Sequence, residues 1–215
     1  MTIRVYLVDD HALVRAGMKM ILAGEVDIEV VGEADTGEVA LDQIRQLKPD
    51  VVLCDIHLPG LSGLEVTERI TGGALETKVI AVSVLEDGPM PKRLLDAGAS
   101  GYVGKGGDAS ELVRAVRDVA RGKRYLASGV AQAIALSSVS GDSSPFDSLS
   151  GRELEVSLLL MQGLRQEEIA KRLSLSAKTV NTHKSRAFEK LGVRDNVALA
   201  RLASQYGITG AAGAV

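Results

Sequence analysis

DVVLCD, residues 50–55, is a short aliphatic run that ends in a carboxylate. It is too short for a buried helix and too apolar for a surface strand, so it reads as a strand covered on both faces. Outward from it the same grammar repeats. IRVYLV at 3–8, IEVVGEA at 28–34, KVIAVS at 78–83 and SGYV at 100–103 are further buried strands. Helical periodicity fills the intervals 11–23, 36–47, 62–71, 89–97 and 108–121. Five strands in strict alternation with five helices predict a parallel sheet wrapped on both faces, an α/β doubly wound (βα)5 unit. Right-handed crossovers leave few topologies, and the strand order 2-1-3-4-5 is the common one at this size.

In such sheets ligands bind beyond the carboxyl ends of the strands. Strand 1 ends in Asp9 and Asp10, strand 3 in Asp55, strand 4 in Ser83, and Lys105 stands just past strand 5. Strands 1 and 3 are neighbours in the expected order, so three carboxylates converge and repel one another unless a cation intervenes. Lys105 is one candidate cation. A bound Mg²⁺, which prefers hard oxygen ligands, is the other. Acids, Mg²⁺, a lysine and a hydroxyl are the equipment of phosphoryl transfer. On this reading Asp55, on the central strand, is the nucleophile. Asp10, the Asp55 carboxylate and the backbone carbonyl of His57 hold the metal, and Asp9 acts through water. His11 and His57 are expected on the rim, not as side-chain ligands. Cys54 is expected to pack in the core. Tyr102 taken alone reads as a strand residue with a solvated hydroxyl.

From 137 the composition changes: SSVSGDSSP is rich in Ser and Gly and lacks periodicity, and with the short helix at GVAQAIAL before it the stretch 122–145 reads as a linker. From 146 to 210 the pattern is all helical, with pieces at 151–162, 166–173, 177–191 and 195–206; residues 211–215 form a flexible tail, and GITGAAGAV has little to pack. Ser150 and Glu153 make a capping-box start. QEEIAKRL and AKTVNTHKSRAFEKL, separated by SLS, suit a helix-turn-helix. On the second helix Val180, Ala187 and Leu191 share the core face, with His183 at its edge. Lys178, Asn181, Thr182, Ser185 and Glu189 point the other way. Asn181 and Thr182 are placed to meet base edges. Lys178, Thr179, Lys184, Ser185 and Arg186 flank them or hold phosphates, with Lys171 and Arg172 assisting from the preceding helix.

Charge agrees with this division. The chain is at -3 overall, but residues 165–194 hold 8 basic and 3 acidic residues while residues 1–145 hold 15 and 21. An acidic module is thus joined to one suited to a polyanion. One cysteine excludes an internal disulfide and fits a reducing cytoplasm. The start MTIRVYLVDD is neither a signal peptide nor a span, so a cytoplasmic protein without membrane contact is expected.

VDDHALVRAGM at 8–18, DVVLCDIHLPGLSG at 50–63 and GYVGK at 101–105, in that order, resemble the receiver domain of two-component signalling, which is flavodoxin-like. LSGRELEVSLLLMQGLRQEEIAKRLSLSAKTVNTHKSRAFEKLGV resembles the four-helix DNA-binding domain of the LuxR type. Together they resemble the NarL/FixJ class of response regulators. SPFDSLSGRE, TVNTHKSRAFEKL and GKRYLASGVAQAIAL are similar to the GacA/UvrY group. The resemblance implies phosphorylation of Asp55 by a sensor histidine kinase, of the tripartite hybrid kind in the narrower group. It implies a switch pair, Ser83 and Tyr102, and a homodimer on phosphorylation that binds double-stranded DNA to regulate transcription. It also implies that the unphosphorylated receiver covers the recognition helix. The extra glycines of GYVGKGG depart from the receiver pattern and can loosen the loop of Lys105. The last helix, Val197–Ala203, supplies a dimer seam or closes the four-helix core.

A small phosphatase or nucleotide-binding enzyme would use the same acids, but GxxxxGK[ST] and GxGxxG are both absent, and no enzyme is expected. A DNA binder with an inert receiver and a protein-binding adaptor are the other rivals.

Overall fold

The computed structural model describes residues 2–73, 75–84, 89–139, 144–206 and 208. Its N-terminal half alternates strands β1 (Ile3–Val8), β2 (Ile28–Ala34), β3 (Val51–Asp55), β4 (Lys78–Ser83) and β5 (Gly101–Gly104) with helices α1 (Ala12–Ala23), α2 (Gly37–Leu47), α3 (Gly63–Thr71), α4 (Met90–Asp96) and α5 (Ala109–Ala120). All strand pairs are parallel, in the order β2-β1-β3-β4-β5, with a short sixth strand, β6 (Tyr125–Leu126), beyond β5.

The sheet explains why β3 is apolar throughout. Successive side chains alternate between faces. Val51 and Leu53 join Met18 and Leu22 of α1 and Leu112, Val113 and Val116 of α5 on one side. Val52 and Cys54 join Ala40, Leu41 and Ile44 of α2 and Val66 and Ile70 of α3 on the other. Each fully buried aliphatic side chain of this kind stabilises the fold by about 1.5–3 kcal/mol. Cys54 is packed in this core, as its sequence context predicts.

One element was not anticipated. β6, Tyr125–Leu126, pairs with β5 inside the stretch read as linker. Two residues are too short to carry an alternation. They are recruited because the edge of β5 offers unpaired backbone groups: Tyr125 N–H donates to Ser100 O at 3.1 Å and Ala127 N–H to Tyr102 O at 3.1 Å. The short helix expected at GVAQAIAL is α6, Ser128–Val139.

The C-terminal half is helical: a 3-10 turn at Pro145–Ser148, then α7 (Gly151–Met161), α8 (Gln166–Arg172), α9 (Ala177–Leu191) and α10 (Asn196–Gln205). The capping box is present, with Ser150 N–H donating to Glu153 Oε2 at 2.8 Å and Glu153 N–H to Ser150 Oγ at 3.3 Å. Asp195 caps α10 through the N–H of Ala198 at 2.7 Å. Gly192 ends α9 at φ +66°, a left-handed conformation costly for other residues. Ile208 corrects the reading of the tail. It is buried with Leu199 and Ala203, and its N–H donates to Ala203 O at 2.9 Å. The expected flexible segment 211–215 lies outside the described residues.

The two halves touch. A single apolar cluster runs from Ile56, Leu64, Met90, Leu94 and Tyr102 through Val130 to Phe146, Leu149 and Leu154. Arg93 of α4 donates from Nη2 to the carbonyls of Phe146 and Asp147, both at 2.9 Å.

Candidate functional site

The parallel strands deliver their terminal side chains to one edge. Asp55 and Asp9 are buried and Asp10 is partly open. Lys105 Nζ lies 2.8 Å from Asp55 Oδ2 and 2.8 Å from Asp9 Oδ2. Lys105 N–H donates to Ser83 O at 2.7 Å, and Gly107 N–H donates to Gly104 O at 3.2 Å. Ser83 is buried one strand over, at the end of β4.

Acid crowding is visible in the protonation equilibria. Burial raises the Asp10 carboxyl above its usual range, and the charges of Asp55 and Asp9 add to it against the opposing pull of His11. Burial works to lower the Lys105 ammonium, but the charges and hydrogen bonds of Asp55 and Asp9 outweigh it and hold the pKa above its ordinary value.

His11 stands exposed on the rim, where the sequence places it, with its Nδ1 2.7 Å from Asp10 Oδ1 and 3.3 Å from Asp9 Oδ1. Ligand atoms of Asp9, Asp10, His11 and Asp55 all lie within 4.8 Å of one another. His57 is not on the rim. It is 7% exposed, and burial depresses its imidazole to about 4. Its N–H donates to Asp55 Oδ1 at 3.3 Å. Tyr102 is likewise buried, not solvated, because β6 and α6 cover that side of the sheet.

The loop from β3 to α3 depends on two glycines. Gly60 has φ +72°. At Gly63 a Cβ would collide with the carbonyl oxygen of Asp55, so only glycine lets α3 start so close to the acid.

In the helical half, α8 and α9 are joined through Ser174, at φ +51°. Leu175 N–H closes the turn on Ala170 O at 2.8 Å. Ser176 caps α9, accepting from Thr179 N–H at 3.0 Å. Val180, Ala187 and Leu191 are buried, whereas Lys178, Asn181, Thr182, Ser185, Arg186 and Glu189 are exposed, as the wheel predicts. Lys171 and Arg172 are exposed beside them. Thr179 and Lys184 are half-buried; Lys184 Nζ sits 5.1 Å from the Phe188 ring centre. Lys190, although exposed, reaches buried Glu153, its Nζ 2.6 Å from Oε2. The outward face is open. The N-terminal half meets α7 and the edge of α9 at His183, across a cleft of about 670 Å³ lined by Glu65, Glu68 and Arg93. The face of the recognition helix expected to be covered is exposed here, and the N-terminal half contacts the start of the helical domain through Arg93.

Residues 5–117 match the response regulator receiver domain family, and residues 147–203 match the bacterial regulatory proteins of the luxR family. The chain is 45% identical over 212 residues to the response regulator GacA of Pseudomonas aeruginosa, spanning 98% of this chain and 99% of the relative. The chain belongs to the response regulators.

Other relatives agree. The response regulator UvrY of Escherichia coli K12 is 44% identical over 97% of both chains. Among solved structures, RcsB from Salmonella enterica serovar Typhimurium, bound to promoter rprA in the presence of phosphomimetic BeF3⁻, superposes with a TM-score of 0.66 at 26% identity. It covers 95% of this chain and 99% of its own. This response regulator thus joins a receiver domain to a LuxR-type DNA-binding domain, and no helix among the described residues is long and apolar enough to cross a membrane.

Sequence reasoning missed two participants in the response regulator's sites. Arg15, in the first turn of α1, donates from Nη1 to the carbonyl of Asp9. Arg152 of the LuxR-type domain donates to carbonyls of the receiver loop that follows Asp55, and no local pattern marks it.

Proposed function

We propose that Asp55 is the phosphoacceptor of this regulator and that its phosphorylation by a sensor histidine kinase controls dimerisation and sequence-specific DNA binding. The observation that carries this reading is the buried Asp55 carboxylate held 2.8 Å from Lys105 beside Asp9 and Asp10.

The donor set suits Mg²⁺. The carboxylates are hard oxygen ligands drawn within 4.8 Å of one another. Asp10, Asp55 and the carbonyl of His57 would hold the ion, with Asp9 acting through water. Bound there, Mg²⁺ supplies charge neutralisation for the equatorial phosphoryl oxygens. An Asp55 oxygen attacks phosphorus, the bond to the kinase's imidazole nitrogen breaks, and the imidazole leaves. Lys105, anchored by its backbone to Ser83, balances the charge that gathers on the phosphoryl group. Ser83 then turns toward the phosphoryl oxygens and Tyr102 repacks. Such a change would be felt by the apolar cluster that Tyr102 shares with the LuxR-type domain.

On the DNA side, Asn181 and Thr182 read base edges. Lys178, Thr179, Lys184, Ser185, Arg186 and Lys171 contact phosphates or flank the reading face. A two-fold dimer would match inverted half-sites. On this reading the phosphodonor is a hybrid kinase.

The test is DNA binding with and without acetyl phosphate and Mg²⁺, in wild type and Asp55→Asn. Tightening in the wild type alone is expected. Phosphorylation of the Asp55→Asn protein would overturn the assignment.

A further inference from the structure

We propose that Arg152, a residue of the LuxR-type domain, is a positioning residue for the cation-binding loop of the receiver, so that domain docking and loading of the acid pocket are coupled. The inference rests on the reading of Asp55 and its neighbours as the Mg²⁺ and phosphoacceptor site.

Arg152 stands at the start of α7, and only 9% of its surface is exposed. Its Nη2 donates to the carbonyl of Gly60 and, at 3.4 Å, to that of Leu58. These carbonyls lie on either side of Pro59, and Leu58 directly follows His57, whose carbonyl is the expected ligand. Nη1 donates to Glu155 Oε2 at 2.6 Å, and Nε faces Glu65 Oε2 of α3 at 3.8 Å. One guanidinium thus joins α7, α3 and the loop between β3 and α3.

The residue type matters. Guanidinium offers five donors in a rigid plane and satisfies several acceptors at fixed angles, whereas an ammonium is a point charge on a flexible stem. Its partner Glu155 is 1% exposed, so the pair is removed from water and its geometry is stiff. The coupling also has an electrostatic route. The Asp55 charge is among the influences that raise the Glu155 carboxyl, so the buried pair lies within reach of charge changes at the phosphoacceptor. Any shift of the loop on loading is felt at Arg152, and by linkage any change in docking returns to the cation site by the same factor.

The experiment is calorimetric titration of the full chain with MgCl₂, together with amide hydrogen exchange over residues 56–62. The variants are Asp55→Asn and the double substitution Arg152→Met with Glu155→Gln, which avoids leaving a buried charge alone. The inference expects the double variant to unfold cooperatively, to bind Mg²⁺ several-fold more weakly, and to exchange faster in the loop. Mg²⁺ affinity and loop exchange equal to wild type would overturn it. Should the double variant fail to fold, Arg152→Lys decides: weakened Mg²⁺ binding supports the fork geometry, and wild-type binding overturns it. If Asp55→Asn binds Mg²⁺ like wild type, the site reading fails and takes this inference with it. If only the Arg152 variants are silent, the site stands and the coupling alone fails.

Discussion

Lys105 Nζ lies 2.8 Å from Asp55 Oδ2, and it makes the same approach to Asp9. A single ammonium therefore serves two buried carboxylates. Lys105→Met removes that charge where the transferring group would need it. Loss of one preorganised charge-stabilising group slows such steps by about 100-fold. Labelling of Asp55 from acetyl phosphate, followed by mass spectrometry, should fall by that order while Mg²⁺ still binds. An undiminished rate would remove Lys105 from the chemistry.

The crowding around Asp10 makes a second expectation. Burial and its acidic neighbours raise this carboxyl, so a divalent cation relieves strain that the folded state carries. Mg²⁺ at about 100 times its dissociation constant should stabilise the protein by roughly 2.7 kcal/mol. Thermal unfolding with Mg²⁺ and with EDTA measures it, and Asp10→Asn should abolish the difference.

Glu155 predicts a pH dependence. Burial pushes it up to about 7 from 4.5, against the pull of Arg152 on its own helix and with the charges of Asp55 and Glu65 adding to the rise. Below about pH 4.5 both folded and unfolded chains hold the proton, and no penalty arises. Between there and pH 7 only the unfolded chain ionises, so this group's contribution to stability falls as pH rises. The loss is of order 3 kcal/mol and is complete above about pH 7. Glu155→Gln should flatten the melting temperature between pH 5 and 7.5 relative to wild type; an unchanged slope would place the titration elsewhere.

Lysines of the LuxR-type domain should separate into two kinds. Lys178 is exposed, and Lys178→Ala should weaken binding to all sequences and reduce the salt slope by about 1. Asn181→Ala should relax sequence choice with little change in that slope. Lys190 instead pairs with buried Glu153 and donates to Ser148 O at 3.3 Å. Lys190→Ala should lower stability by about 1 kcal/mol and leave the salt slope intact. Titrations at several salt concentrations, with melting curves, distinguish the two.

Much of this protein is written locally. The alternation of apolar runs with helical periods determines the doubly wound sheet, because a buried parallel strand must be apolar on both faces and a crossover must be right-handed. Val51 to Cys54 show it, with alternate residues serving the two helical layers. Once the strand order follows, Asp9, Asp10, Asp55, Ser83 and Lys105 meet of necessity at one edge. The wheel of α9 is equally local, since residues 180, 187 and 191 share a face by helical geometry alone. Tertiary structure decided the rest. The burial of Tyr102 follows from β6 and α6, which fold back over that side of the sheet. Strand β6 exists because an edge was open. Arg152 meets Gly60 across 92 residues of sequence, and Arg93 meets Phe146 across 53. Contacts at such separations leave no periodicity behind. They depend on how two finished surfaces fit, and that fit leaves the reading face of α9 open.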